Sequence, residues 1–146
     1  MKKLLEQKAL NNARVADEKG QTALHNAVLW GDQQLVGSLS SHDYKLAYDK
    51  DSTGCTAINL AAQEGHTDIF KELFHRSVDA TTNSGMNALH IAVSFKNREI
   101  LRYIAKERKP VKRLINQQDK NGNTPLHLAV FKGTFQGLHR LLKLAA

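Results

Sequence analysis

The sequence has few of the residues that several classes of protein depend on. Its 146 residues include one cysteine, and aromatic residues make up only 6%. A single cysteine excludes an internal disulfide framework and a zinc site built from several cysteines, and it fits a reducing compartment. No apolar run reaches the roughly 18 residues that a membrane span needs. With 41% apolar and 24% charged residues, we expect one domain with an aliphatic core.

Motifs for catalysis and cofactor binding are missing as well. Neither Gly-x-x-x-x-Gly-Lys-Ser/Thr nor Gly-x-Gly-x-x-Gly occurs in the sequence. Cys55 has no base that the sequence places beside it, so we interpret it as a bystander thiol. Three of the seven histidines, His25, His90 and His127, recur at one position of a repeat, at least about 10 Å apart and too far to share a metal. We therefore expect no catalytic residue, no cofactor and no metal.

One unit is present four times, in residues 17–27, 51–61, 82–92 and 119–129. Each copy has a glycine in its first turn, and these glycines are Gly20, Gly54, Gly85 and Gly122, spaced by 34, 31 and 37 residues. Each copy ends on an alanine with the same three spacings, and these are Ala27, Ala61, Ala92 and Ala129. A period of about 33 residues is typical of repeat proteins whose units stack on their neighbours.

Each part of the unit has a physical reason. Asp-x-x-Gly favours a tight turn, because aspartate bonds its own backbone and glycine accepts a positive φ. The threonine that follows, replaced by Asn87 in the third copy, is suited to capping a helix. A first helix follows and then ends at Gly31, Gly65 or Gly133, before a second, amphipathic helix. The pattern predicts an all-α repeat solenoid of stacked helix-turn-helix units with short hairpin-like loops.

This pattern resembles the ankyrin repeat family, whose signature includes Thr-Pro-Leu-His-x-Ala. Residues 124–129 match that signature in full, and the resemblance covers about residues 4–145. It implies a single domain with a half-repeat cap at 1–16 and four repeats at 17–50, 51–81, 82–118 and 119–146. The third repeat departs most from the pattern, with Thr82 for aspartate, Asn87 for threonine, and Lys96 and Asn97 for Gly-His.

The resemblance also implies where a partner binds, since such proteins hold partners on a concave surface of hairpin tips and first helices. The function it implies is a non-catalytic protein–protein interaction module with another protein as its partner and no small-molecule substrate. Large apolar side chains at solvent-facing positions favour a protein interface over burial between repeats. Carried over by register, the predicted partner-binding residues are Lys19, Leu29, Trp30, Gln63, Glu64, Met86, Phe95, Phe131 and Lys132.

Charge gives an alternative surface. Residues 1–70 hold 7 lysines and arginines against 9 acidic residues, whereas residues 71–146 hold 14 against 5. Such a basic half could bind nucleic acid or an anionic lipid by electrostatic attraction, with steep salt dependence. The residues of this alternative basic patch are Arg102, Lys106, Arg108, Lys109, Lys112 and Arg113.

The two ends leave further alternatives open. The last helix has little polar capping, so we expect that the chain is a fragment of a longer protein or that this end packs on another surface. A targeting fragment of a larger enzyme or of a bacterial effector is therefore a third hypothesis. We expect a cytoplasmic location, with the nucleus or, for an effector, the host-cell cytosol as alternatives.

Overall fold

The computed structural model describes residues 2–134, 139 and 143. Within them the chain forms short helices and a 3-10 helix, Tyr44–Tyr48, that follows the third of them. In chain order the helices are α1 Lys2–Asn11, α2 Ala23–Trp30, α3 Gln33–His42, α4 Ala57–Glu64, α5 Thr67–Ser77, α6 Ala88–Ser94, α7 Arg98–Lys106, α8 Arg108–Leu114 and α9 Pro125–Lys132. The predicted second helix of the fourth repeat, with Leu138, Leu141, Leu142 and Leu144, lies outside the described residues.

The helices are arranged in two rows. The inner row is α2, α4, α6 and α9, and each of these helices packs on the next. The outer row is α3, α5 and α7, packed in the same order, and α2, α4 and α6 also pack on the outer helix that follows them. Stacked helix pairs of this kind confirm the predicted all-α solenoid. The division into a cap and four repeats at the stated boundaries stays a prediction.

The inner helices begin and end in one repeated way. The residue before each helix donates its backbone N–H to the side chain three residues later, at 3.1 Å in all four repeats. A residue with positive φ follows each helix, directly in three repeats and after Phe95 in the third, and the N–H after that residue bonds to the carbonyl of the repeat alanine. These four alanines are fully buried, which lets neighbouring inner helices approach closely.

The hairpin loops stack on one another through backbone hydrogen bonds. The carbonyl of Lys19 accepts from the N–H of Ser52, and the carbonyl of Ser84 accepts from the N–H of Lys120. Aspartate shapes the loops of the first, second and fourth repeats as predicted, and Asp17 Oδ1 accepts from the N–H of Lys19 and of Gln21, both at 2.9 Å. In the third loop the hydroxyl of Thr82 takes this role and accepts from the N–H of Met86. The hydrogen bond from Gln21 is the main cause that holds the pKa of Asp17 below its ordinary value. Backbone hydrogen bonds therefore link successive hairpin loops along the stack.

Two of the repeat histidines join neighbouring repeats. His25 Nε2 lies 3.0 Å from the carbonyl oxygen of Cys55, and His90 Nε2 lies 2.8 Å from that of Asn123. Burial lowers the pKa of His90, which favours the neutral ring that accepts at Nδ1 and donates at Nε2. Both rings therefore act as structural links between repeats. His127 is exposed, and its Nδ1 contacts the backbone N–H and the hydroxyl of Thr124 at the start of α9.

The second repeat has a shorter side chain at the histidine position. Asn59 Oδ1 accepts from the backbone N–H and the hydroxyl of Thr56, as His25 Nδ1 contacts both groups of Thr22. However, Asn59 Nδ2 is buried and has no hydrogen-bond partner among the described residues. The amide is too short to reach the next repeat, so the junction between the second and third repeats lacks one hydrogen bond.

We expect the Asn59→His variant to raise the free energy of unfolding by about 1 kcal/mol, because the ring would donate to the carbonyl of Met86 and leave no buried donor unpaired. Urea denaturation followed by circular dichroism measures this change. The Asn59→Ala variant is the control, and it should be less stable than the wild type because Thr56 loses its acceptor. A histidine variant no more stable than the wild type would contradict the expectation.

The exit of the third repeat contains an inserted helix, which accounts for its spacing of 37 residues. Helix α8 packs inward through Val111 and Leu114, both fully buried. Asn87 holds this segment, because its Nδ2 donates to the carbonyl oxygen of Leu114 at 3.0 Å and to Gln117 Oε1 at 2.7 Å. Its Oδ1 meanwhile accepts from the N–H groups of Leu89 and His90 at the start of α6. One side chain therefore caps α6 and anchors α8.

Candidate binding surface

Equivalent positions of the inner helices form a row at their C-terminal ends. The two residues before each positive-φ residue come into register because adjacent inner helices pack side by side. We call this set the helix-end surface. It consists of Leu29, Trp30, Gln63, Glu64, Ser94, Phe95, Phe131 and Lys132.

Three aromatic side chains of the helix-end surface point into solvent. Trp30 is 75% exposed, Phe95 is 51% exposed and Phe131 is 87% exposed. A tryptophan or phenylalanine that packed into a groove between repeats would be mostly buried. Burial between repeats therefore does not explain these residues, and each offers apolar area to a partner.

The other predicted partner-binding residues differ in how much surface they offer. Gln63, Glu64 and Lys132 are exposed, and Lys19 is exposed at a hairpin tip. Leu29 and Met86 are half-buried and pack against the core. A partner can thus reach the aromatic and charged members more fully than these two.

Sequence reasoning missed one residue beside this surface. Lys96 follows Phe95, is exposed and has a φ of 54°, where the other three repeats have glycine. The signal was present in the sequence, since lysine in place of Gly31, Gly65 and Gly133 was already a departure from the repeat. Only the backbone geometry shows that this lysine keeps the glycine conformation.

The basic patch lies away from the inner row, on α7 of the outer row and on the inserted helix α8. Arg102 and Lys106 are exposed on α7, one helical turn apart, and Lys109, Lys112 and Arg113 are exposed on α8. Arg108 belongs to α8 as well. Arg113 forms an ion pair with Asp79, in the turn that follows α5. For the other four exposed residues the described part of the chain supplies no ion pair, so their charge is available to an anion.

No group of three or more histidine, cysteine or acidic side chains among the described residues is placed to hold a metal ion. None of the helices described is long and apolar enough to cross a membrane. An open groove of about 720 Å³ lies between α3 and α5, and its lining is Gln33, Gln34, Gly37, Ser38, Ser41 and Glu72. Glu72 faces Arg76 in an ion pair.

The fold and this surface define a helical repeat protein that presents an exposed row of side chains. The sequence matches the family model for ankyrin repeats in three copies over residues 44–113 and 77–146. The chain belongs to the ankyrin repeat family, as the resemblance implied. Proteins of this family generally act as protein–protein interaction modules without catalysis of their own.

Several curated proteins are similar to parts of the chain. The transient receptor potential cation channel subfamily A member 1 of Drosophila melanogaster is 28% identical over 89% of the chain and 11% of its own length. Ankyrin repeat domain-containing protein 53 of Mus musculus is 36% identical over 57% of the chain and 17% of its length. The nuclear factor NF-kappa-B p105 subunit of Gallus gallus is 28% identical over 94% of the chain and 14% of its own length. The chain therefore spans less than a fifth of each of these relatives.

Proposed function

We propose that the chain binds another protein on its concave surface of hairpin tips and first helices, with Trp30 and Phe95 as the main anchors. The observation that carries the proposal is the exposure of these two rings at one equivalent position, two repeats apart. Tryptophan in particular dominates binding energy at many interfaces, because its large rigid area is buried at a low cost in side-chain entropy.

The remaining members of the surface set specificity. Glu64 lies between the two aromatic positions, on the helix that separates theirs, and Lys132 lies one repeat beyond Phe95. Exposed charges of this kind steer and select a partner more than they add affinity. The module needs no cofactor for this task. We also propose a cytoplasmic location, because a chain with a single cysteine fits a reducing compartment.

Affinity capture from cytosolic lysate tests the proposal. We expect the Trp30→Ala/Phe95→Ala variant to retain a tenth or less of the partner that the wild type retains, through washes at both low and high salt. The matched control is Leu4→Ala/Tyr44→Ala, which removes two similarly exposed apolar side chains that lie outside the inner row. All three proteins must give the same helical circular dichroism signal. Retention of the partner by the Trp30→Ala/Phe95→Ala variant contradicts the proposal.

The basic patch supports a second candidate function, binding of nucleic acid or anionic lipid. Its residues Arg102 and Lys106 follow Arg98, which lies outside the patch as defined, at intervals of four along the exposed side of α7, and the described residues give none of these three an ion pair. Like charges at this spacing repel one another, so these three side chains lower the stability of the helix. A bound anion would relieve the repulsion. In the same capture, a ligand kept by the Trp30→Ala/Phe95→Ala variant and released by salt would favour this function.

A further inference from the structure

The helix-end surface has an order of chemical character along the stack. The residue just before the positive-φ position is Trp30, then Glu64, then Phe95, then Lys132, in chain order of the repeats. The surface therefore alternates between an aromatic ring and a charge, and the two charges have opposite sign. A partner that follows this row meets an acid between the two rings and a base beyond them.

Lys96 adds a second cation at a position that disfavours it. It is the one non-glycine residue with positive φ in the described part of the chain. Its N–H bonds to the carbonyl of Val93, and the next N–H bonds to that of Ala92, so the helix end imposes this conformation as it does at the glycines. A lysine at this position makes the folded protein less stable than a glycine would, because its Cβ crowds the backbone in the left-handed region.

Nothing within the described structure compensates for that loss. Lys96 is exposed, and no carboxylate of the described residues forms an ion pair with it. It directly follows Phe95 in the chain, so a cation and an apolar anchor occupy consecutive positions. Strained residues of this kind tend to persist where a function uses them.

Resting on the proposed function, we propose that the helix-end surface takes an extended peptide segment of a partner protein, with an acidic side chain that pairs with Lys96. Adjacent inner helices lie about 10 Å apart, which equals about three residues of extended chain. The segment carries an apolar residue on Trp30, a basic residue about three positions on that faces Glu64, and an apolar residue about three further on that contacts Phe95. The acidic residue follows this second anchor.

Selection from a phage-displayed library of random 12-residue peptides on the immobilised protein tests this assignment. We expect the wild type to enrich peptides with an acidic residue just after an apolar one. The affinity of an enriched synthetic peptide should fall about threefold to fivefold for Lys96→Gly, as expected for an exposed ion pair, and further for Lys96→Glu. The Lys45→Glu variant changes an exposed lysine of the 3-10 helix and should bind as the wild type does.

Unfolding cannot explain this loss, since Lys96→Gly relieves the backbone and should raise the melting temperature. Peptides that need Trp30 and Phe95 but bind equally well to Lys96→Gly would overturn the acidic pairing and leave the proposed function standing. Peptides that bind equally well to Trp30→Ala/Phe95→Ala would overturn the proposed function itself. If no peptide is enriched, the proposal that an extended peptide segment occupies the surface is overturned.

Discussion

We expect the Gly20→Ala variant to lose about 3 kcal/mol of its free energy of unfolding. Gly20 has a φ of +70°, where alanine costs about 1 kcal/mol relative to glycine. A Cβ at this position would also lie 2.7 Å from the backbone nitrogen of Ser52 in the next hairpin loop. Because the obstacle is backbone, the two loops must separate, which adds about 2 kcal/mol of overpacking and weakens the hydrogen bond from Ser52 to Lys19.

The chain supplies its own control for this prediction. Gly122 holds the same position in the fourth repeat with a φ of +80°, and a Cβ there would meet nothing within 4 Å. The Gly122→Ala variant should therefore lose only the backbone contribution, about 1 kcal/mol. Urea denaturation of both variants measures the difference. Equal losses would mean that stacking of the hairpin loops contributes nothing beyond the turn itself.

The contrast between these two glycines shows what the sequence could predict. Spacing and turn chemistry placed Gly20 and Gly122 at one position of one unit, and both have the positive φ that the turn requires. The sequence does not reveal that one faces a neighbouring loop and the other faces open space. That difference depends on what stacks against each repeat, which is a tertiary property.

The binding surface could be predicted in the same partial way. The repeat register placed Trp30 and Phe95 at equivalent helix ends, and the structure shows both rings exposed. The same register treated Met86 as a comparable site residue, whereas its side chain is partly taken up by the core. Lys96 was missed because propensity favours glycine there, so only the observed backbone reveals a lysine that keeps a glycine conformation.

Asn87 shows how an unexplained departure in the sequence acquires a physical reason. The register predicted that it caps a helix as threonine does in the other repeats, and its Oδ1 accepts from two N–H groups of α6. A threonine side chain has no amide group, so it cannot donate to the carbonyl of Leu114 and to Gln117 Oε1 while its oxygen caps the helix. The third repeat, which contains the inserted helix, therefore has asparagine instead of threonine, because this one residue bonds both to α6 and to the segment after α8.

We therefore expect the Asn87→Ala variant to lose about 3 kcal/mol of its free energy of unfolding. About 1 kcal/mol comes from the missing helix cap. The rest comes from the carbonyl of Leu114, a fully buried residue that would lose a hydrogen bond, and from the cavity left at a site with no solvent exposure. Asn87→Thr is the matched variant, because it keeps an oxygen for the cap and removes only the two bonds to the exit segment.

Amide hydrogen exchange separates the two roles. In the threonine variant, protection should fall for the N–H groups of Ile115 and Gln117, which bond within the exit segment, and hold for those of α6. In the alanine variant both sets should exchange faster. Loss of protection throughout α6 in the threonine variant would mean that α8 and α6 unfold as one unit. Asn87 would then join two parts of a single cooperative segment, and the inserted helix would be integral to the third repeat.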